Sequence, residues 1–403
     1  MSVSDENPAD AARSGIVVTL LSMPFILAFR NLVHDKIRLT ATIAGLTFAV
    51  ILIGVQLGIY FGVRRIISDV IDHTHATLWI VPFHARSFEE AYGVLGEDER
   101  HQALAVPGVR SVVPIVVFFG TWNRPDRGIT HVVVVGSDAE DGGLAPWNLR
   151  GGDWNDIKSL NGIAVDETYL SALGIAGIGS RASIDFGDSI RTVDVKALTE
   201  GIRSFTQAPY VFTTNARARQ IFGIPEDKST FFLVEVAPQA NVSQVKKEIS
   251  DRLSSNAEVL TQAEFRSRSI IRWLYGTRVG IALIFGTVLG VIVGMAIEAQ
   301  TLYSATLDHI NEFAVLRMLG SSSSYLHRII LTQAALISLA GFALGTACVL
   351  LVSRLSQHTA LPMVIPPELI VATLIGSLVV GVVSAIAAVV RVLRIDPAAV
   401  LMR

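Results

Sequence analysis

Residues 306–324 read TLDHINEFAVLRMLGSSSS, and they lie between two long segments without charged side chains, 279–297 and 329–353. Apolar residues of this stretch recur at helical spacing, and Gly320 with the serines after it predicts the end of the helix. Three charged residues occupy other positions of the same turns: Asp308, Glu312 and Arg317. The pattern predicts a short amphipathic helix between two membrane spans, lying on the cytoplasmic face and docking into a partner. The alternative interpretation is a loop helix that only covers the end of a helix bundle.

The composition is typical of a membrane protein. Of the 403 residues, 51% are hydrophobic and 17% are charged, and the mean hydropathy is +0.51. A formal net charge of −2 favours neither nucleic acid nor an acidic partner. The only cysteine of the sequence, Cys348, lies in an apolar run, which excludes an intrachain disulfide.

Four segments are long and apolar enough to cross about 30 Å of hydrocarbon. They are residues 39–63, 279–297, 329–353 and 369–390, and none of them contains a charged residue. Uncharged spans predict no ion relay inside the bilayer. In the second span glycine recurs every four residues, which predicts a face for close helix packing or dimerisation, formed by Gly286, Gly290 and Gly294.

The order of the spans predicts the domain organisation. One span precedes a long polar insert and three spans follow it, and Lys and Arg in the short flanks favour cytoplasmic termini. The predicted parts are a cytoplasmic N terminus with an amphipathic elbow helix (1–38), the first span (39–63), an extracytoplasmic domain with stalk ends (64–278), the second span (279–297), a cytoplasmic loop (298–328), the third span (329–353), a short outer loop (354–368), the fourth span (369–390) and a cytoplasmic tail (391–403). A signal peptide is the alternative interpretation for the start of the chain.

Strand-like and helix-like segments alternate in the insert without a repeat, which predicts an α+β domain. Short β-branched runs predict strands at 112–119, 131–136, 191–198 and 231–237, and helical patterns occupy 97–105, 164–173, 214–222 and 242–254. Apolar residues continue the first helix outward from Val63 to Thr74, and others precede the second span from Phe265 onward. Two such helices emerging together would form a stalk that carries movement from the membrane to the domain.

No catalytic motif is found. The sequence has no Gly-Lys pair and therefore no phosphate-binding loop with its lysine, so the chain is not expected to hydrolyse ATP alone. His73 and His75 lack a third ligand nearby in the sequence, which favours exposed side chains over a metal site. We predict no catalytic, cofactor-binding or metal-binding residue in this chain.

Residues 311–320, NEFAVLRMLG, resemble the E-x-G-hydrophobic-Leu-Arg-x-hydrophobic-Gly signature of FtsX/MacB-type ABC transporter permeases. The sequence departs from that signature at Ala314, where the family usually has glycine. In the family this segment is the coupling helix that sits on the ATPase subunit. The resemblance therefore implies an ATPase-coupling site, formed by Asp308, Glu312, Phe313, Leu316, Arg317 and Gly320.

The resemblance extends over nearly the whole chain. The segments VPGV (106–109), GGDW (151–154) and GIAVDE (162–167) resemble the MacB-type periplasmic domain, and the tail RIDPAAVLMR (394–403) resembles the end of the family's chains. The segments TTNAR (213–217), FGIP (222–225) and TQAEF (261–265) look closest to the DevC subgroup, permeases of tripartite glycolipid-type exporters. The implied fold is an α-helical membrane protein with four transmembrane helices and a large α+β extracytoplasmic domain between helices 1 and 2.

The resemblance also implies a function and partners. The chain would be a homodimeric permease of the bacterial inner membrane that couples ATP hydrolysis, with ATP and Mg bound on a separate ABC ATPase, to movement of the periplasmic domain. The implied partners are that ATPase, a second copy of the chain, a periplasmic adaptor, an outer-membrane channel and membrane lipids, and the cargo would be an amphiphile such as a glycolipid. Three alternatives stay open: an FtsX-like transmitter that activates a cell-wall hydrolase, LolC-like lipoprotein release, and a membrane-anchored sensor without an ATPase.

Overall fold

The computed structural model describes residues 29–30, 32–91, 93–187, 189–253, 256–308, 315, 319–359 and 361–393. The chain divides into two compact units. We call residues up to Phe61, 285–355 and from Met363 onward the membrane unit, and Gly62–Ile284 with Ser356–Pro362 the sheet unit.

Helices and strands of the described residues are numbered in chain order. The helices are α1 (Lys36–Asp72), α2 (Glu97–Leu104), α3 (Trp154–Ile157), α4 (Leu170–Leu173), α5 (Asn215–Phe222), α6 (Val242–Arg252), α7 (Gln262–Tyr275), α8 (Arg278–Asp308), α9 (Ser323–Ser356) and α10 (Pro367–Leu393). The strands are β1 (Leu78–Pro82), β2 (Leu95–Gly96), β3 (Val109–Asn123), β4 (Ile129–Ser137), β5 (Leu149–Gly151), β6 (Gly162–Asp166), β7 (Arg181–Phe186), β8 (Ser189–Thr199), β9 (Tyr210–Thr213), β10 (Lys228–Ser229), β11 (Phe231–Val236) and β12 (Ala257–Thr261).

Four helices of the described residues are long and apolar enough to cross a membrane: α1, α8, α9 and α10. The sheet unit's strands all lie between the first and second of them, which confirms the predicted arrangement of one helix, an α+β domain and three more helices. Each helix is longer than the span predicted for it. Helix α8 continues to Asp308, so residues 306–308, where the predicted docking helix begins, are the last turn of the second spanning helix.

The start of α1 is fixed by a side-chain cap. Residues 29–30 and 32–34 are helical, and Asp35 interrupts the helix before Lys36. The Asp35 carboxylate accepts a hydrogen bond from the Arg38 backbone amide at 3.1 Å, which satisfies one of the free donors of the first turn. Most residues of the predicted elbow lie outside the described part, so the elbow stays a prediction.

Ten strands of the described residues form one mixed sheet in the sheet unit. Its main path runs β12-β1-β11-β3-β4-β9-β6-β8-β5, and β7 pairs with β3 and β8. The pairs β4–β9 and β6–β8 are parallel, and the other pairs are antiparallel. Trp79 of β1 lies at the centre of the largest core, with its ring centroid 5.0 Å from that of Phe265 in α7 and 5.8 Å from that of Phe231 in β11.

The helix predicted at residues 164–173 is wrong for its first three residues. Residues 162–166 form β6, which is fully buried between β8 and β9; one turn of 3-10 helix follows at Glu167–Tyr169, and the α-helix begins at Leu170. The apolar run GIAV is compatible with the repeat of a helix and with that of a strand. It forms a strand here because both of its faces are buried in the sheet unit. The Asp166 carboxylate ends the strand by accepting hydrogen bonds from the amides of Thr168 at 3.0 Å and Ile202 at 2.7 Å.

Candidate functional site

The last residue of α8 is tied to the first turn of α1. The Arg38 Nε lies 3.5 Å from the Asp308 carboxylate, and Arg38 Nη1 lies 3.5 Å from the Asp308 carbonyl oxygen. A carboxylate at a helix C terminus opposes the helix dipole, so the guanidinium offsets an unfavourable charge as well as reaching a free carbonyl. Both side chains are more than 40% exposed, and such a pair contributes about 0.2–1 kcal/mol.

The last residue of the predicted coupling segment has a left-handed backbone. Gly320 has a φ of +91°, one residue after Leu319, whose amide donates to the Val315 carbonyl at 3.1 Å. Ser322 then caps α9 by accepting the Tyr325 amide at 3.3 Å. Glu312, Phe313, Leu316 and Arg317, the other predicted ATPase contacts, lie outside the described residues, so their role stays a prediction.

The three glycines predicted to form a packing face on α8 differ in their surroundings. A Cβ atom built on Gly294 would lie 2.5 Å from Ile53 Cγ1 and 3.2 Å from the Ala49 carbonyl oxygen, and one built on Gly290 would lie 2.5 Å from Gln56 Cγ. These two glycines therefore allow α8 to pack closely on α1 of the same chain. A Cβ atom on Gly286 would meet no heavy atom of the described residues within 4 Å, so this position leaves space for a neighbour.

Among the described residues of the membrane unit, one carboxyl group is buried. Glu298 of α8 is 1% exposed, and its Oε1 accepts a short hydrogen bond from the Ser377 hydroxyl of α10. The predicted second span ended at residue 297 and so left Glu298 just outside it. The signal was present in the sequence, because Gly290, Gly294 and Glu298 continue the same four-residue spacing along one helix face.

Glu298 lines a cavity of about 180 Å³ in the membrane unit. Its walls come from α1, α8 and α10, and apart from Glu298 the lining offers only two hydroxyl side chains, Thr373 and Ser377. The remaining lining residues are apolar: Val50, Ile53, Leu57, Val291, Met295, Leu369, Ala372 and Gly376. We call this space the Glu298 cavity.

In the sheet unit the end of α1 is bonded to the start of α7. Gln262 Nε2 donates to the carbonyl oxygens of Ile71 at 2.8 Å and Thr74 at 3.2 Å, and Arg266 pairs with Asp72 at 3.3 Å. Gln262 thus binds one carbonyl group in the last turn of α1 and one just beyond its end, and the Ile71 carbonyl also accepts from the Thr74 hydroxyl at 2.8 Å. The three contacts made by Gln262 and Arg266, which we call the α1–α7 joint, connect the two helices predicted to form a stalk.

The segment between α9 and α10 packs within the sheet unit. Arg203, which is buried, donates from Nη2 to the Gln357 carbonyl oxygen, and His358 Nδ1 lies 4.0 Å from a Glu200 carboxylate oxygen. These contacts hold the loop between α9 and α10 within the sheet unit.

A buried carboxyl group also lies in the sheet unit. Glu89 accepts hydrogen bonds from the Tyr210 hydroxyl at 2.5 Å and the Thr206 hydroxyl at 3.1 Å. Burial raises the pKa of Glu89 above its ordinary value, and the hydrogen bonds that it accepts only partly oppose this. Burial likewise raises the pKa of Tyr210 well above its usual range, and the Glu89 charge adds to that rise. Neither residue was singled out from the sequence, because no local pattern marks a polar group whose partners are more than 100 residues away.

His73 and His75, near the end of α1, are both exposed, and His73 also contacts a neighbouring ring. The ring of His73 stacks on Trp147, with centroids 3.9 Å apart, and its Nδ1 lies 2.7 Å from the Asp69 carbonyl oxygen. Within the described residues, no group of three or more His, Cys, Asp or Glu side chains is placed to hold a metal ion.

Two family models match the chain. The model described as the MacB-like periplasmic core domain matches residues 39–252, more than half of the chain, and the model described as the FtsX-like permease C-terminal matches residues 284–397. No curated protein matches the chain.

Solved structures similar to the chain correspond to about half of it. The periplasmic region of MacB from Actinobacillus actinomycetemcomitans is 11% identical, covering 48% of this chain and 93% of its own, with a TM-score of 0.34. The extracellular domain of YknZ, a noncanonic ABC-type transporter from Gram-positive bacteria, is 17% identical, covering 46% and 99%, with a TM-score of 0.33. A domain of a putative permease protein from Porphyromonas gingivalis is 13% identical, covering 46% and 89%, with a TM-score of 0.30.

Proposed function

Because the chain belongs to the MacB/FtsX family of ABC transporter permeases, we propose that it transmits ATP-driven movement of a separate ATPase to its sheet unit, and thereby exports an amphiphilic substrate. As a member of this family it is a multi-pass permease component of the bacterial inner membrane, associated with an ABC ATPase. We further propose that the chain works as a homodimer with both termini in the cytoplasm and that the ATPase binds ATP and Mg. The complex would belong to a tripartite assembly of the DevC type, with a periplasmic adaptor and an outer-membrane channel.

The observation that carries the mechanical part of the proposal is the α1–α7 joint. Helix α1 runs without a break from Lys36 to Asp72. Arg38 in its first turn contacts Asp308, and Gln262 and Arg266 bind its last turn. A displacement at the Arg38–Asp308 end moves a continuous helix of 37 residues. The other end of that helix, from Gly62 onward, belongs to the sheet unit and is bonded there to α7, so movement would reach the sheet through hydrogen bonds and an ion pair. Such a device works through interfaces that have two packed arrangements.

The proposed contact with the ATPase is the segment after Asp308. Glu312 and Arg317 would bond with the ATPase, and Phe313 and Leu316 would supply the apolar part of the contact. Close packing supports movement of the spans as bodies, because the glycines of α8 hold that helix directly against α1.

Affinity purification of the tagged full-length chain from native membranes tests the proposal. We expect an ABC ATPase to co-purify together with a periplasmic adaptor. The matched control is the double variant Glu312→Lys, Arg317→Glu, which is expected to insert normally and to lose the ATPase. Recovery of a peptidoglycan hydrolase with the ATPase would instead indicate an FtsX-like transmitter, and a crosslinked complex without any ATPase would refute the coupling role.

A further inference from the structure

On α1 and α10 the lining of the Glu298 cavity reaches the middle of the spanning helices, and on α8 Glu298 lies ten residues before the last residue, Asp308. Ser377, the partner of Glu298, is ten residues past the start of α10 at Pro367, and ten residues of helix rise about 15 Å. The hydrocarbon layer is about 30 Å thick, so this distance is about half of it. On α1, Val50 lines the same cavity from the middle of the predicted first span.

Within the described part of the chain, the carboxyl group of Glu298 has no cationic partner. Among the described residues no Lys, Arg or His forms an ion pair with it, and Ser377 is its hydrogen-bond donor. A carboxyl group buried in this apolar lining is stable only when it carries a proton or lies beside a cation. The site can therefore accept a positive charge that the protein itself does not provide.

The size and the apolar lining of the cavity indicate that the rest of the ligand is apolar. Its volume of about 180 Å³ compares with the roughly 150 Å³ engineered apolar cavity that binds benzene, so it holds a short apolar segment. Three lining residues, Met295, Ala372 and Gly376, are also exposed at the surface of the membrane unit, on helices that face lipid. A longer alkyl chain can thus continue from the cavity into the bilayer.

We propose that the Glu298 cavity binds an amphiphile with a basic amine, whose nitrogen pairs with the Glu298 carboxyl while its alkyl part contacts the aliphatic walls. The amine enters the hydrocarbon in its neutral form and takes the proton of the carboxyl group. An N–H bond forms and the carboxyl O–H bond breaks, which gives an ammonium–carboxylate pair without bringing net charge into the membrane. The inference rests on the proposed function, because it names the class of amphiphile that the permease would take from the bilayer.

The test uses photolabelling of the purified full-length chain in lipid nanodiscs without any ATPase. The probes are dodecylamine and dodecanol, each with a diazirine on the alkyl chain, and labelled peptides are mapped by mass spectrometry. We expect dodecylamine to label α8 and α10 at the cavity walls. Glu298→Gln keeps the size of the side chain and removes its charge, and it is expected to reduce this labelling about tenfold or more, since one partner of a desolvated ion pair is lost. Dodecanol labelling is expected to stay unchanged in this variant.

Two further variants separate a binding site from a structural hydrogen bond. Ser377→Ala removes the hydroxyl but keeps the carboxyl group, and we expect it to retain dodecylamine labelling. Gly376→Leu adds a side chain where a Cβ atom meets no heavy atom within 4 Å, so it should fit the fold and reduce labelling by both probes. Equal labelling of the wild type and Glu298→Gln by dodecylamine, or labelling spread evenly over the lipid-facing residues, would overturn the inference. Because no ATPase is present, failure here leaves the co-purification result standing, and failure of that experiment leaves the labelling result standing.

Discussion

Alanine substitutions at Gly286, Gly290 and Gly294 are expected to destabilise the membrane unit in that order, from least to most. The three sites share one helix and one substitution, so the gain in helix propensity of about 1 kcal/mol is common to all of them. What differs is the space that the added Cβ atom meets. Differences between the variants therefore measure how closely α8 packs on α1.

The contacts give the size of the effect. At Gly294 the added atom meets the stiff side chain of Ile53 at 2.5 Å and the backbone oxygen of Ala49 at 3.2 Å, so the helices must separate at an overpacking cost of about 1–3 kcal/mol. At Gly290 the obstacle is the flexible Gln56 side chain, whose rotation costs about 0.5–1.5 kcal/mol. At Gly286 no such cost arises. We expect Gly294→Ala to be about 1–3 kcal/mol less stable than Gly286→Ala.

The measurement is reversible unfolding of the full-length chain in mixed micelles titrated with SDS, followed by far-UV circular dichroism. Tryptophan fluorescence is unsuitable for this purpose, because all five tryptophans lie in the sheet unit. Equal unfolding free energies for Gly286→Ala and Gly294→Ala would refute close packing of α8 on α1. Light scattering of the same samples tests the predicted dimer face: weaker self-association of Gly286→Ala, with unchanged unfolding, would place Gly286 between two copies of the chain.

Three further predictions concern charged and polar groups. Burial raises the pKa of Glu89, so the folded state holds a proton that the unfolded state releases; stability should fall as the pH rises from about 4.5 through the raised pKa, and Glu89→Gln should lose this dependence in pH-resolved thermal unfolding. Arg266→Glu should weaken the coupling of ATPase activity to export by placing like charges together at the α1–α7 joint, and adding Asp72→Arg should restore it in reconstituted vesicles; no rescue would remove the ion pair from the transmission path. The double variant Glu312→Lys, Arg317→Glu should keep normal membrane insertion in protease-accessibility assays, and failure to insert would show that this segment is structural.

The sequence predicted most reliably where a pattern is local. The uncharged spans and the β-branched runs within β3, β4, β8 and β11 lie within the elements that the structure has. Residues 164–166 were predicted to be helical, but their apolar pattern is equally compatible with a strand. Pairing with β8 and β9, which the local sequence does not show, makes them a strand. The contact of Gln262 with Ile71 joins residues 191 positions apart, and no local pattern carries that information. Glu298 shows a different limit. The predicted second span ended one residue before Glu298, so the carboxyl group that lines the Glu298 cavity was not recognised from the sequence.

The arrangement of contacts along α1 indicates which part of the molecule is able to bend. Within the membrane unit, Gly294 of α8 and Gly345 of α9 both bring their helices against α1, the latter with a Cβ position 2.7 Å from Val50, so α1 is closely held by two neighbours. The helix contains no proline, and no break occurs between Lys36 and Asp72. By contrast, α7 and α8 are separate helices, interrupted at Gly276, and the Thr277 hydroxyl accepts the Gly280 amide at 3.0 Å to start α8 anew. The Gly276 amide still donates to the Arg272 carbonyl oxygen at 3.0 Å, and the Thr277 hydroxyl donates to the Trp273 carbonyl oxygen at 2.6 Å. A change of angle between α7 and α8 therefore has to break these bonds, whereas bending α1 would break a continuous helical ladder.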